Sequence, residues 1–165
     1  MTLKLSKRLN KIVDLCDEAD TIVDVGTDHG KVPITIANIG LSKTVIAVDN
    51  KKGPLEICKK NAEIYIENKN VEFKTLLSDG LQKVDKNVET GIIITGMGFD
   101  NMKKILFKIN EYNYKYLILS PHTKITELIV YLSTLNIDIV EQATVFEDDK
   151  CYFIIKAKKG DCLAN

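Results

Sequence analysis

The sequence predicts an open α/β sheet, mostly parallel with one late reversed strand, and three observations carry that reading. Short runs rich in Val and Ile recur along the chain, several of them ending at a glycine or an acid. Segments with helical spacing separate most of these runs, and the last two are joined by a short polar turn. Val- and Ile-rich runs that do not alternate with polar residues suit parallel strands buried on both faces. The chain has 165 residues, 45% of them hydrophobic, which fits one domain over 1–160 and a short tail over 161–165. A domain of that size buries enough surface to hold a core without staples.

Residues 3–18 place Leu5, Leu9, Ile12, Val13 and Cys16 at helical spacing and predict an amphipathic N-terminal helix. TIVDV (21–25) and TVIAVD (44–49) read as strands, with a helix over Lys31 to Ile39 between them and Pro33 in its first turn. A second crossover helix runs from Gly53 to Glu67, again with a proline, Pro54, near its start. VEFKTLL (71–77), GIIIT (91–95) and KYLILS (115–120) continue the strands, with helices over 101–109 and 124–135. IDIVEQATVFE and KCYFIIKA, joined by Asp148-Asp149, form an antiparallel pair and bring the strand count to seven.

Composition removes several classes of function. The hydrophobic content excludes disorder, and no apolar run approaches the ~18 residues of a membrane helix. The closely spaced charges of the first twenty residues leave no apolar centre for a signal peptide, so a cytoplasmic protein with no membrane partner is expected. Lys+Arg and Asp+Glu are both 23, so nucleic-acid binding would need a local patch. Arg8 is the single arginine among many lysines. Cys16, Cys58, Cys151 and Cys162 include no C-x-x-C pair and only two histidines accompany them, so reduced structural thiols and no metal site are expected.

In an open α/β sheet, ligands bind outside the carboxyl ends of the strands. The first such end carries Asp24-Val25-Gly26-Thr27-Asp28-His29-Gly30, where Gly26 permits a tight turn and the following helix offers free N–H groups. Asp49, with Asn50, closes the second strand about 20 residues beyond Gly26, the place of an acid that holds ribose hydroxyls. Ser78-Asp79-Gly80-Leu81 follows the third strand and offers an acid to an adenine amino group. Each feature has an ordinary explanation as a turn or a cap, but together they resemble the S-adenosylmethionine site of class I methyltransferases, a Rossmann-like fold. A dinucleotide oxidoreductase is disfavoured, because G-x-G-x-x-G is missing and Asp28 would repel a pyrophosphate. Asp28 and His29 sit where a transfer role is expected, against helix capping and packing as the alternative. Thr95-Gly96-Met97-Gly98 ends the fourth strand on the acceptor side. It lacks the D/N-P-P-Y/F type of motif used for exocyclic amines and so points toward a ring nitrogen.

The chain is similar to the bacterial tRNA (adenine-22 N1) methyltransferase family. The resemblance rests on L-S-x-R-L at Leu5 to Leu9, D-V-G-T-D-H-G-K-V-P at Asp24 to Pro33, Gly53-Pro54, S-D-G-L at Ser78 to Leu81 and T-G-M-G at Thr95 to Gly98. It implies S-adenosyl-L-methionine as cofactor, tRNA as substrate and partner, and methyl transfer to N1 of adenine. It further implies Asp28 and His29 as catalytic residues. Cofactor contacts are implied at Asp24, Gly26, Thr27, Asp28, Asp49, Asn50, Ser78, Asp79, Gly80, Leu81, Gly96 and Met97, and substrate contacts at Arg8, Gly98 and His122. The lysines of the first helix, with Arg8, are the candidate phosphate patch. A homodimer is left open. The chain departs from the family at Phe99, where a glycine is usual, and at Ser120-Pro121-His122, where a glutamine usually precedes the proline. Family members also continue into a helical C-terminal extension that this sequence is expected to lack. Two alternatives therefore stand beside the leading reading: a methyltransferase for a small-molecule or protein acceptor, and a non-catalytic S-adenosylmethionine-binding module.

Overall fold

A computed structural model describes residues 3–161, so Cys162 and the tail beyond Asp161 lie outside the described residues. The chain runs α1 (Lys7–Leu15), β1 (Thr21–Val25), α2 (Lys31–Ile39), β2 (Thr44–Asp49), α3 (Lys52–Tyr65), β3 (Glu72–Leu77) and β4 (Thr90–Met97). It continues through α4 (Phe99–Leu106), a single 3-10 turn (Ile109–Glu111), β5 (Tyr114–Pro121), α5 (Ile125–Thr134), β6 (Ile137–Glu147) and β7 (Lys150–Lys159). Seven strands form one sheet in the order β3-β2-β1-β4-β5-β7-β6. All neighbours are parallel up to β5, and β7 is antiparallel to both β5 and β6. The predicted sheet, with its single reversed strand, is the one observed.

Burial on both faces explains the unalternating Val/Ile runs. In β4, Ile92 and Ile94 enter the core beneath α4 and α5, whereas Ile93 enters the core beneath α1 and α2. Burying a Val or Ile side chain contributes roughly 1.5 to 3 kcal/mol, so these central strands anchor the sheet. On the α1 side the Tyr116 ring fills the space left by Gly91, where a Cβ would come within 2.3 Å of the ring. Its hydroxyl donates to the Asp17 carbonyl at 2.8 Å.

The N-terminal helix is shorter than its apolar spacing predicts, Lys7–Leu15 rather than 3–18. Ser6 caps it by accepting the Leu9 N–H at 3.3 Å, and Cys16 is already extended. Beyond Cys16 the Asp17 and Glu18 carbonyls accept bonds from Tyr116 and from Lys115 (2.7 Å), which tie this extended segment to β5. The fourth helix starts at Phe99 instead of Asn101, because Phe99 is itself core, edge-to-face with Tyr131 at 6.0 Å. Cys16, Cys58 and Cys151 are free thiols, Cys16 and Cys58 buried and Cys151 exposed on β7. No described helix is long and apolar enough to cross a membrane.

Candidate active site

The strand order reverses between β1 and β4, and a cleft opens at the carboxyl ends of the strands around that point. It has two compartments, of about 700 Å³ and about 520 Å³, which share Gly26, Asp49, Asn50, Lys51 and Gly96 as a common wall. The larger reaches Ser78 to Gln82 and α4; the smaller reaches Asp24, Asp28, His29, Arg8 and His122.

The loop between β1 and α2 is held in an unusual backbone. Gly26, Asp28 and Gly30 all have positive φ (77°, 53° and 81°), a region that an ordinary side chain rarely enters. Gly26 and Thr27 donate their N–H groups to the Val48 carbonyl at 2.9 and 3.2 Å, which ties the loop to β2. Gly30 lies against α3, where a Cβ would come within 2.5 Å of the Cys58 sulfur, and Asn61 Nδ2 donates to the His29 carbonyl at 2.9 Å. The N-cap of α2 is Gly30 and no side chain caps it, so Asp28 is not spent on capping. Its side chain is 83% exposed, with Oδ1 3.7 Å from His29 Nε2.

Asp24 is different in kind. It is 4% exposed, on the α1 side of the sheet, and burial pushes its carboxyl up to about 7, with Asp49 and Asp28 raising it further and Thr27 opposing the rise. The Thr27 hydroxyl is near enough to Asp24 and Cys58 to favour the charged form of both, yet it is buried and makes no hydrogen bond. Burial likewise raises the Cys58 thiol, to about 11. A buried carboxyl held partly neutral, with a hydroxyl oxygen beside it that can accept a hydrogen bond, is an arrangement that a cationic donor completes.

Around the larger compartment, Asp49 Oδ1 accepts the Lys51 N–H at 3.1 Å, fixing the carboxylate at the start of α3. Ser78 is buried; its hydroxyl donates to the Gly80 carbonyl (3.0 Å) and accepts the Lys83 N–H (3.2 Å), shaping the turn that presents Asp79 and Gly80. Leu81 is placed from behind by Tyr112, whose hydroxyl donates to the Leu81 carbonyl at 2.6 Å.

The cleft thus brings together Arg8, Asp24, Gly26, Thr27, Asp28, His29, Asp49, Asn50, Ser78, Asp79, Gly80, Leu81, Gly96, Met97 and His122. Gly98 lies outside both compartments: it is the N-cap of α4, facing the Thr123 hydroxyl, where a Cβ would come within 3.0 Å. The sequence reading missed Lys51, Asn101 and Lys104 in the walls. Lys51 had a signal in its adjacency to Asp49-Asn50; the α4 residues had none, since only the packing of that helix brings them to the cleft. The two departures have structural roles. Phe99 fills the core, and the Ser120 hydroxyl donates to the Phe153 carbonyl at 2.9 Å, stitching β5 to β7. Among the described residues no cluster of three or more His, Cys, Asp and Glu is arranged to hold a metal.

The residues present suit S-adenosylmethionine. Asp49 and Asp79 border the larger compartment with carboxylates able to accept from hydroxyl and amine groups, and Asp24 and Thr27 offer a carboxyl and a hydroxyl oxygen beside the smaller one. The fold and this cleft define a Rossmann-like methyltransferase, and the family model described as a methyltransferase domain matches residues 5–155. The tRNA (adenine(22)-N(1))-methyltransferase of Bacillus subtilis is 27% identical over 161 residues, 96% of this chain and 67% of that protein. TrmK of M. capricolum, solved with S-adenosyl-homocysteine, superposes with a TM-score of 0.83 at 30% identity over 96% of this chain and 72% of its own. A Streptococcus pneumoniae relative solved with S-adenosyl-L-methionine gives a TM-score of 0.86 at 28% identity over 95% of this chain and 74% of its own. The chain belongs to the TrmK-like methyltransferase family.

Proposed function

We propose that the protein transfers a methyl group from S-adenosylmethionine to N1 of adenine in tRNA, in the cytoplasm where that substrate resides. The observation that carries this reading is the cleft itself: the shared wall at Gly26, Asp49 and Gly96 divides a compartment with nucleoside-binding acids from one holding Asp28, His29, Arg8 and His122. The first takes the adenosine half of the cofactor, through Asp49 at the ribose and Asp79 at the adenine amine. The methionine half extends past Gly26 toward Asp24 and Thr27, and the acceptor base enters beside Asp28.

The bound cofactor supplies an electrophilic methyl carbon on a sulfonium. Neutral adenine N1 has a free lone pair, so the protein need not remove a proton before attack; its task is to hold N1 in line with the methyl carbon. As the N–C bond forms and the carbon–sulfur bond breaks, a neutral thioether leaves and the positive charge passes to the adenine ring. The Asp28 carboxylate stabilises that developing charge, with His29 beside it to orient the carboxylate and handle protons. His122, fixed to β4 through its N–H to the Met97 carbonyl at 2.8 Å, forms the opposite wall. Arg8 meets a phosphate of the entering RNA. The reading as a non-catalytic module drew on Phe99 and Ser120, and both have structural work in the core and sheet.

The test is incubation of the purified protein with methyl-labelled S-adenosylmethionine and unmodified tRNA, then digestion and nucleoside mass spectrometry. The expected outcome is 1-methyladenosine that disappears with Asp28→Ala while cofactor affinity stays within a few-fold. Equal turnover in the variant would remove Asp28 from the mechanism. No methylated nucleoside, with cofactor binding intact, would reject the substrate.

A further inference from the structure

The cation most distinctive in the sequence, Arg8, is held by the last two strands, 139 residues away. Glu147 ends β6 and its Oε1 accepts the Arg8 N–H at 3.1 Å; that bond, with the Ser6 hydroxyl, the Arg8 charge and the Lys7 N–H, holds its carboxyl below the ordinary range. Across the turn, Tyr152 of β7 sets its ring under the guanidinium, with Cζ 5.0 Å from the ring centroid. The connection that places these two residues is tight: Asp148 and Asp149 both have positive φ (50° and 60°), the backbone of a two-residue hairpin turn whose twist matches its strands. The arrangement leaves the hydrogen-bonding edge of the guanidinium unspent, while its charge helps hold the Glu147 carboxyl below its ordinary range. Glu147 binds the first turn of α1 through its backbone, and among the described residues the guanidinium forms no ion pair and no hydrogen bond, with Nε buried and unpartnered. Yet Arg8 borders the compartment that holds Asp28, His29 and His122.

We infer that the β6–β7 hairpin is a positioning device for RNA: through Tyr152 and Glu147 it holds the Arg8 guanidinium at the acceptor compartment, ready for a backbone phosphate. The inference rests on the tRNA-methylation reading and adds to it the element that sets the phosphate contact. Tyr152 and Glu147 are positioning residues; neither meets the reacting atoms. A guanidinium stacked on a ring keeps its edge free, and it suits a phosphate better than a lysine because its planar fork is pre-oriented.

The experiment measures binding of unmodified tRNA at several salt concentrations to the full chain and to Tyr152→Leu, Tyr152→Phe, Arg8→Met and the Arg8→Met/Tyr152→Leu double variant. Calorimetric titration with S-adenosylmethionine on each reports whether the cofactor site is intact. Tyr152→Leu should weaken tRNA binding about two- to fivefold, the worth of an exposed cation–π contact, with cofactor affinity unchanged. Tyr152→Phe, which keeps the ring face, should restore it. Arg8→Met should lower the salt slope by about 0.7 to 0.9, one phosphate contact. The double variant should be no worse than Arg8→Met alone, because Tyr152 acts through Arg8. Additive losses in the double variant, a parallel fall in cofactor affinity, or wild-type tRNA binding by Tyr152→Leu would each overturn the inference while leaving the methylation reading standing. Failure of the unaltered protein to bind tRNA at all would overturn both.

Discussion

Replacing Asp24 by Asn tests the electrostatic design of the cleft most directly. In the free protein burial lifts this carboxyl from its ordinary 3.8 to about 7, so between those values the folded chain holds a proton that the unfolded chain has released. Stability contributed by the protonated group is therefore present at low pH and falls as pH rises through that window. The full cost above pH 7 is roughly 4 kcal/mol, at about 1.36 kcal/mol per pH unit. A cationic ligand reverses the preference, because the sulfonium and ammonium of S-adenosylmethionine favour the ionised carboxylate. At pH 6 only about a tenth of the free protein is in that form, so apparent affinity should be about tenfold weaker than at pH 8, with close to one proton released per cofactor bound. Calorimetric titration across pH 5.5 to 8, in pairs of buffers with different ionisation heats, reads both quantities. Asp24→Asn should bind more weakly at pH 8, and its profile should lack the Asp24 contribution; the ligand's own amine titrates equally in both proteins and cancels in the comparison. A wild-type affinity that stays flat from pH 6 to 8, without proton release, would show that Asp24 does not face the bound cation.

Two further substitutions probe the walls of the cleft. Asp49→Ala removes a hydrogen bond to a charged acceptor and should weaken S-adenosylmethionine binding by about 1.5 to 3 kcal/mol, roughly ten- to 150-fold; unchanged calorimetric affinity would reject its role at the ribose. Gly30→Ala forces a Cβ to within 2.5 Å of the Cys58 sulfur at a φ of +81°, which should lower unfolding stability by about 1 to 3 kcal/mol. Adding Cys58→Ala should recover part of that loss in chemical denaturation, and a purely additive pair would place the strain in the backbone alone.

The fold was legible because each strand announces itself locally. TIVDV, TVIAVD and IDIVEQATVFE coincide with β1, β2 and β6, since runs of β-branched residues between turn residues need no distant partner to be recognised. Helix ends were less legible where the chain turns into tertiary contact, as at Cys16, after which Tyr116 and Lys115 tie the Asp17 and Glu18 carbonyls to β5. The acids of the cleft were also legible, because the topology puts ligand chemistry at strand ends and the glycines mark those ends in the sequence.

What the sequence could not carry is the state and support of those residues. Asp49 ends β2 and Asp24 sits one residue before the end of β1, yet Asp24 is buried, which pushes its carboxyl up to about 7, whereas Asp49 lies on the wall common to both compartments. That difference in burial is a consequence of packing that no local pattern records. The hold on Arg8 is illegible for the same reason. Glu147 and Tyr152 flank an Asp-Asp turn that reads as an ordinary hairpin connection, and only the reversal of β7 into the sheet brings that turn to the first helix. The parallel core of the sheet therefore supplies the acids of the cleft from successive strand ends, whereas Arg8 and its supports, Glu147 and Tyr152, come from opposite ends of the described chain. A substitution in the β6–β7 hairpin should accordingly disturb RNA recognition without touching the cofactor.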